Sequence, residues 1–162
     1  MKYLLLTTII IAAFASCSTV ESPITREDEL REGKWKRTAG TEKWDPAIGV
    51  DTLIRSYDAL PDCKKDDYLV FRTNFDGSQF NADKCDFSEP DEISFRWELV
   101  ENGSKINFWS ATQTFFNQNA VNASFVSYNP SQFTIKYTEY LRNPSDTTMR
   151  DTVVYTQTFS KF

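Results

Sequence analysis

The sequence predicts an all-β fold: an eight-stranded antiparallel up-and-down barrel with one or two short helices near the N-terminus. Three observations carry this. From Tyr68 onward apolar and polar residues alternate with a period of two, as in half-buried strands. Turn signals separate the alternating runs, among them Asn74-Phe75-Asp76-Gly77, Asn102-Gly103 and Asn129-Pro130. A meander of this length leaves exposed edges unless it closes on itself, and closure is the economical arrangement. A barrel of about eight strands encloses either packed side chains or one small ligand.

The N-terminal residues have a different character. Lys2 precedes an apolar run from Leu4 to Phe14, broken only by Thr7 and Thr8, and Ala15-Ser16 leads into Cys17. This is the layout of a signal peptide over residues 1–16, too short to remain as a membrane span. Phe14-Ala15-Ser16-Cys17 resembles the bacterial lipobox, in which the cysteine thiol is diacylated before cleavage. Cys17 is therefore the expected lipidation site, and residues 17–25, polar and aperiodic, read as a tether to a barrel domain at 26–162.

Thr25 with an acid three residues on is an N-cap signature for a short helix from Arg26 to Glu32, ended by Gly33. Lys34 to Ala39 reads as the first strand, with Trp35 and Arg37 on one face. The stretch from Gly40 to Asp67 is irregular. Within it Asp51 is a possible cap for a helix through Asp58, whose Leu53, Ile54 and Tyr57 share a face. Strands follow around Tyr68–Thr73, Ser78–Ala82, Ile93–Leu99, Lys105–Trp109, Val121–Tyr128, Phe133–Thr138 and Val153–Phe159. Trp44 and Trp109 fall off the apolar faces.

Composition narrows the chemistry. The 162 residues include no histidine, which removes the commonest general base, the histidine-dependent nucleophilic triads and most zinc sites. A net charge of −5 argues against nucleic acid as a partner. Asp66 and Asp67 are adjacent, so on a strand they point to opposite faces and cannot flank one glycosidic bond. The acidic run Asp83, Asp86, Glu89, Asp91 and Glu92 lacks EF-hand spacing and reads as a solvated loop. No enzyme activity, cofactor or metal is expected. With Cys17 acylated, Cys63 and Cys85 remain; in an oxidising compartment they tend to pair, the alternatives being free thiols or a metal pair.

Gly33-Lys34-Trp35 matches the Gly-X-Trp signature that opens the first strand of lipocalins. The run Cys63-Lys64-Lys65-Asp66-Asp67 with the aromatic strand after it, then Asp76-Gly77, Cys85 and Trp97-Glu98-Leu99, resembles the lipocalin-like lipoproteins of Bacteroidota-type bacteria. The resemblance implies an eight-stranded barrel and a Cys63–Cys85 bridge, and no agreed activity. The expected function is an outer-membrane-anchored lipoprotein holding a small hydrophobic or amphipathic ligand. Trp35, Phe95, Trp97, Phe108, Phe133 and Tyr137 are the candidate lining. The alternative is a structural or interaction lipoprotein of the envelope with a packed barrel, contacting a protein or a glycan.

Overall fold

The computed structural model describes residues 25–110 and 119–162. The expected signal peptide, Cys17 and nearly all of the expected tether lie outside these residues. Helix α1 (Arg26–Arg31) leads into β1 (Lys34–Asp45) and a short β2 (Thr52–Ile54); α2 (Asp62–Lys65) then precedes β3 (Tyr68–Phe71) and β4 (Asp76–Phe80). The remaining strands are β5 (Glu92–Val100), β6 (Lys105–Trp109), β7 (Ala120–Asn129), β8 (Gln132–Arg142) and β9 (Arg150–Lys161). All neighbours from β3 to β9 pair antiparallel in chain order, β1 pairs with β3, and β1 also pairs with β9. The eight-stranded antiparallel barrel expected from the sequence is thereby closed, with β2 appended outside the cycle on β1.

Two bulges explain where the alternation departs from a simple count. Between Arg37 and Ala39 the register of β1 against β9 shifts by one residue. Before the bulge odd-numbered residues face inward, and after it even-numbered ones do, because an extra residue inverts the phase of the strand. Trp44 is for this reason half-buried against the core, not off the apolar face as its position in the sequence suggests. A second bulge, between Phe125 and Ser127, carries the inward phase of β7 from Phe125 to Tyr128.

The expected helix over 51–58 does not form. β3 pairs only with Lys34–Lys36 of β1, and β1 runs on to Asp45, so its far edge is open to another partner. Thr52–Ile54 takes that edge against Glu42–Trp44, with Asp51 in an ion pair to Lys43 at 3.3 Å. An isolated helix of two turns carries a nucleation cost that its few apolar contacts do not repay, whereas an open ladder supplies hydrogen bonds at once.

One end of the barrel is filled. Thr25 and Asp28 exchange bonds in a capping box that starts α1, and Leu30 on its inner face is fully buried. Trp35 Nε1 donates to the Leu30 carbonyl at 2.8 Å, so the buried indole is satisfied. The Arg26 guanidinium lies 4.4 Å from the Tyr128 ring centroid and 4.8 Å from that of Phe125, and donates to the Gly103 carbonyl in the β5–β6 turn. Beneath α1, Trp35 and Phe133 meet at 4.9 Å, Phe71 and Trp97 at 5.0 Å, and Phe133 and Phe159 at 5.0 Å between ring centres.

Gly77 lets this core close. It stands opposite Phe95 in the β4–β5 ladder, and a Cβ there would come within 2.5 Å of the ring's Cζ. The ring is flanked by Phe71 and Phe108 at 5.9 and 5.8 Å between ring centres, so moving it disturbs the core around it. Gly77→Ala is expected to lower stability by about 1–3 kcal/mol in chemical denaturation, the usual cost of overpacking. An unchanged midpoint would show that the ring yields.

Candidate functional site

The opposite end is amphipathic, with Leu60, Pro90, Ile93 and two tyrosine rings among its polar side chains. The strands run past the apolar layers into Arg37 and Glu42 on β1, Gln79 on β4, Tyr137 on β8, and Tyr155 and Gln157 on β9, all at inward registers. Asp67, at the entry to β3, and Asn81, just after β4, complete the walls. Ser56, Leu60 and Lys64 from the β1–β3 connection, with Glu89 and Pro90 from the β4–β5 connection, form the mouth. Together they enclose a cavity of about 420 Å³. Hollows of about 610 Å³ beside Arg72 and Trp109, and of about 500 Å³ beside Asn107 and Asn122, are lined in part by exposed outer-face residues. They contain none of the unpartnered buried polar atoms described below.

Covalent and ionic ties fix the mouth. Cys63 and Cys85 form a disulfide with their Cα atoms 5.4 Å apart, joining α2 to the β4–β5 loop. Lys64, next to Cys63, bonds Glu89 at 2.6 Å and approaches Asp67 at 3.9 Å. Asn81 accepts from Gln79 Nε2 at 2.9 Å and donates to the Pro90 carbonyl at 2.6 Å. Within the acidic loop Asp91 pairs with Lys84 at 2.7 Å, and Glu92 with Arg72 at 3.0 Å.

One wall is aromatic. Tyr137 and Tyr155 are cross-strand partners, stacked at 4.9 Å with ring planes 13° apart. Gln157 Nε2 donates to the Tyr137 hydroxyl at 3.0 Å, and the Tyr155 hydroxyl donates to Glu139 at 3.0 Å. Burial raises both phenols well above their ordinary range, so they stay neutral donors. Burial also lowers the Arg37 guanidinium, opposed by Tyr137, Asp67, Tyr57 and Glu42. It remains a cation.

Two buried oxygens have no hydrogen-bond partner among the described residues of the cavity wall: Asp67 Oδ1 and Gln157 Oε1. Their residues are 8% and 4% exposed, so bulk water does not satisfy them. An unmet buried acceptor costs on the order of 1–3 kcal/mol, which makes the pair a feature in need of a cause.

The Asp67 carboxyl is pushed up to about 6 from 3.8, first by burial and then by Asp66 and Glu89, against the pull of Lys64 and of the Ala82 amide. Between those two values the folded protein binds more protons than the unfolded chain, so stability falls as pH rises through that window and is level above it. Asp67→Asn is expected to raise the melting temperature at neutral pH. The gain should shrink as the pH is lowered from about 6 towards 4. A gain independent of pH would show that the buried charge is not its source.

Of the residues expected to line a ligand site, Tyr137 faces the cavity. Trp35, Phe95, Trp97, Phe108 and Phe133 lie in the apolar layers below it, packed on one another and on Phe71. Cys17 lies outside the described residues. Arg37, Asp67 and Gln157 stand outside the expected lining because an apolar lining does not include polar side chains. The signal was present in Gln157, a polar residue on the same face as Val153, Tyr155 and Phe159. Arg37 likewise shares a face with Trp35. No family model, no curated protein and no solved structure matches the chain.

Proposed function

We propose that the chain is a non-catalytic binding protein that holds one small polar or amphipathic molecule in the open-end cavity, carried on a membrane by acyl chains at Cys17. The observation that carries the reading is the walled cavity of about 420 Å³, lined by Arg37, Glu42, Gln79 and Tyr137 at one end of an otherwise filled barrel. The apolar residues at the filled end favour a packed core over a lipid tunnel, so the ligand is polar over much of its surface.

The anchor fits the same picture. Thr25, where the capping box starts α1 across the filled end, lies eight chain steps beyond Cys17. Fully extended, those steps reach at most about 3.3–3.6 Å each, less than about 30 Å in all. A chain hung there holds its filled end towards the bilayer and its mouth towards the aqueous phase, from which a polar ligand arrives.

Native mass spectrometry of the full chain, extracted in mild detergent from the host membrane, tests this. A noncovalent adduct of one small molecule is expected, lost on unfolding. Ser56→Trp, which places a large ring at the mouth, should abolish it. An adduct-free wild type, or an adduct that Ser56→Trp leaves in place, would sink the cavity as the binding site.

A further inference from the structure

We propose that β2 is a self-association edge, on which two copies of the chain pair their Asp51–Arg55 segments antiparallel about a two-fold axis at Leu53. β2 stands outside the closed cycle. It is bonded to β1 on one side, and no described strand pairs with its other side. Thr52, Leu53 and Ile54 are all exposed, so neither face of the strand is covered. Leu53 is 68% exposed, and Val50, just before the strand, is 84% exposed. An apolar strand with an open ladder and two bare faces is a template for another strand.

The sequence of the segment selects its own copy as that strand. It reads Asp51-Thr52-Leu53-Ile54-Arg55, with opposite charges placed symmetrically about a central leucine. In an antiparallel pair centred on Leu53, Asp51 faces the partner's Arg55, and Arg55 faces the partner's Asp51. Asp51, Leu53 and Arg55 are alternate residues and share a face, so a leucine pair lies between two identical ion pairs. Thr52 meets the partner's Ile54 on the other face, twice, and both are β-branched. A slip of two residues sets a charge against Leu53. A slip of one residue puts the two leucines on opposite faces. The contact is isologous and closes at two copies.

Charges beside a short edge strand commonly block pairing. Two charges of one sign would repel a second copy; here the signs are opposite and the spacing is symmetric, so they attract it. Both are at hand. Asp51 is more than half exposed in its pair with Lys43, and Arg55 makes no ion pair among the described residues. A ladder of this length is small beside the roughly 1,200–2,000 Å² of a stable complex, so the dimer is expected to be weak and to depend on concentration. Copies held on one membrane, as proposed above, meet at a raised local concentration.

The test is disulfide trapping of the full chain in its host membrane. Only a residue on the axis lies opposite itself, and directly opposed strand residues have Cα atoms about 4.5–5.5 Å apart, within reach of a disulfide. Leu53→Cys is expected to give a covalent homodimer on mild oxidation, its bond mapped to position 53 by mass spectrometry. Val126→Cys, at an exposed position on β7, should stay monomeric. Adding Arg55→Asp to Leu53→Cys should suppress the dimer by setting two acids against each other, and adding Asp51→Arg as well should restore it. Sedimentation of the chain without added cysteines, in detergent, should show a dimer that grows with concentration and is weakened about tenfold by Arg55→Asp. Thermal melts report that these exposed-site variants fold. A Leu53→Cys chain that links no faster than Val126→Cys overturns the proposal, as does a dimer indifferent to the charge reversal. Linkage of position 53 to a different protein in place of a second copy assigns the edge to another partner and overturns it too.

Discussion

Trp35→Ala is expected to lower the free energy of unfolding by about 3–5 kcal/mol, the usual range for removing a large buried aromatic. Trp35 is fully buried where α1, β1, β8 and β9 meet. It packs on Phe133, which in turn packs on Phe159, so its loss opens space on a ring stack that the surrounding ladders hold in place. Its Nε1 donor to the Leu30 carbonyl is also the bond that holds the C-terminal turn of α1 down on the barrel. Two effects should separate. Trp35→Phe keeps most of the volume and loses the donor, so its cost should be well below that of alanine. Urea denaturation followed by far-ultraviolet circular dichroism measures both. A cost for alanine below about 1 kcal/mol would mean that the filled end repacks freely, against the close-packed layers described here.

Replacing Cys63 and Cys85 together by alanine is expected to cost about 3 kcal/mol, the chain-entropy estimate for a loop of this size. The cysteines are 22 residues apart in sequence. The double variant, and not a single one, is the fair test, because it leaves no lone thiol. Neither cysteine lies in a strand, so the β signal in circular dichroism should survive while the denaturation midpoint falls. The loss should be felt at the mouth. Lys64 is held beside Glu89 and Asp67 by its neighbour's covalent bond, and its release would let the α2 segment drift from the β4–β5 loop. Retained adduct in the native mass spectrum of the double variant would show that the bridge stabilises the fold without shaping the site.

The barrel was legible in the sequence because inward residues on long antiparallel strands repeat every second position. Ile93, Phe95, Trp97 and Leu99, or Phe133, Ile135 and Tyr137, declare both the strand and its inner face. The departures have local causes. Leu53, Ile54 and Tyr57 fit a helical face by spacing, and what overrode it was the vacant edge of β1, a tertiary fact. Trp44 falls outside a first strand ended at Ala39, whereas β1 runs on to Asp45 through the bulge after Arg37, which turns Trp44 inward; Gly40, just past the bulge, is the local signal for it. The site was harder to see than the fold. A search for apolar lining leads to Trp35, Phe95 and Phe133, which are core, while the cavity wall is built from polar residues on nominally apolar faces. Asp67 reads from the sequence as a turn or strand-entry residue, and it does stand at the entry to β3; what the sequence does not declare is the burial of its carboxyl.

β9 is paired along nearly all of its length with β1 on one side and β8 on the other, and Thr38 and Ser160, in contact at 3.1 Å, are 122 residues apart in sequence. Until the last strand is available, β1 lacks its longest ladder and the apolar layers have an open flank. The order of assembly follows: local hairpins such as β5–β6 and β8–β9 can form early, and the cylinder locks in a late, slow step dominated by distant contacts. A chain with that habit stays without its closed barrel until its last strand is made.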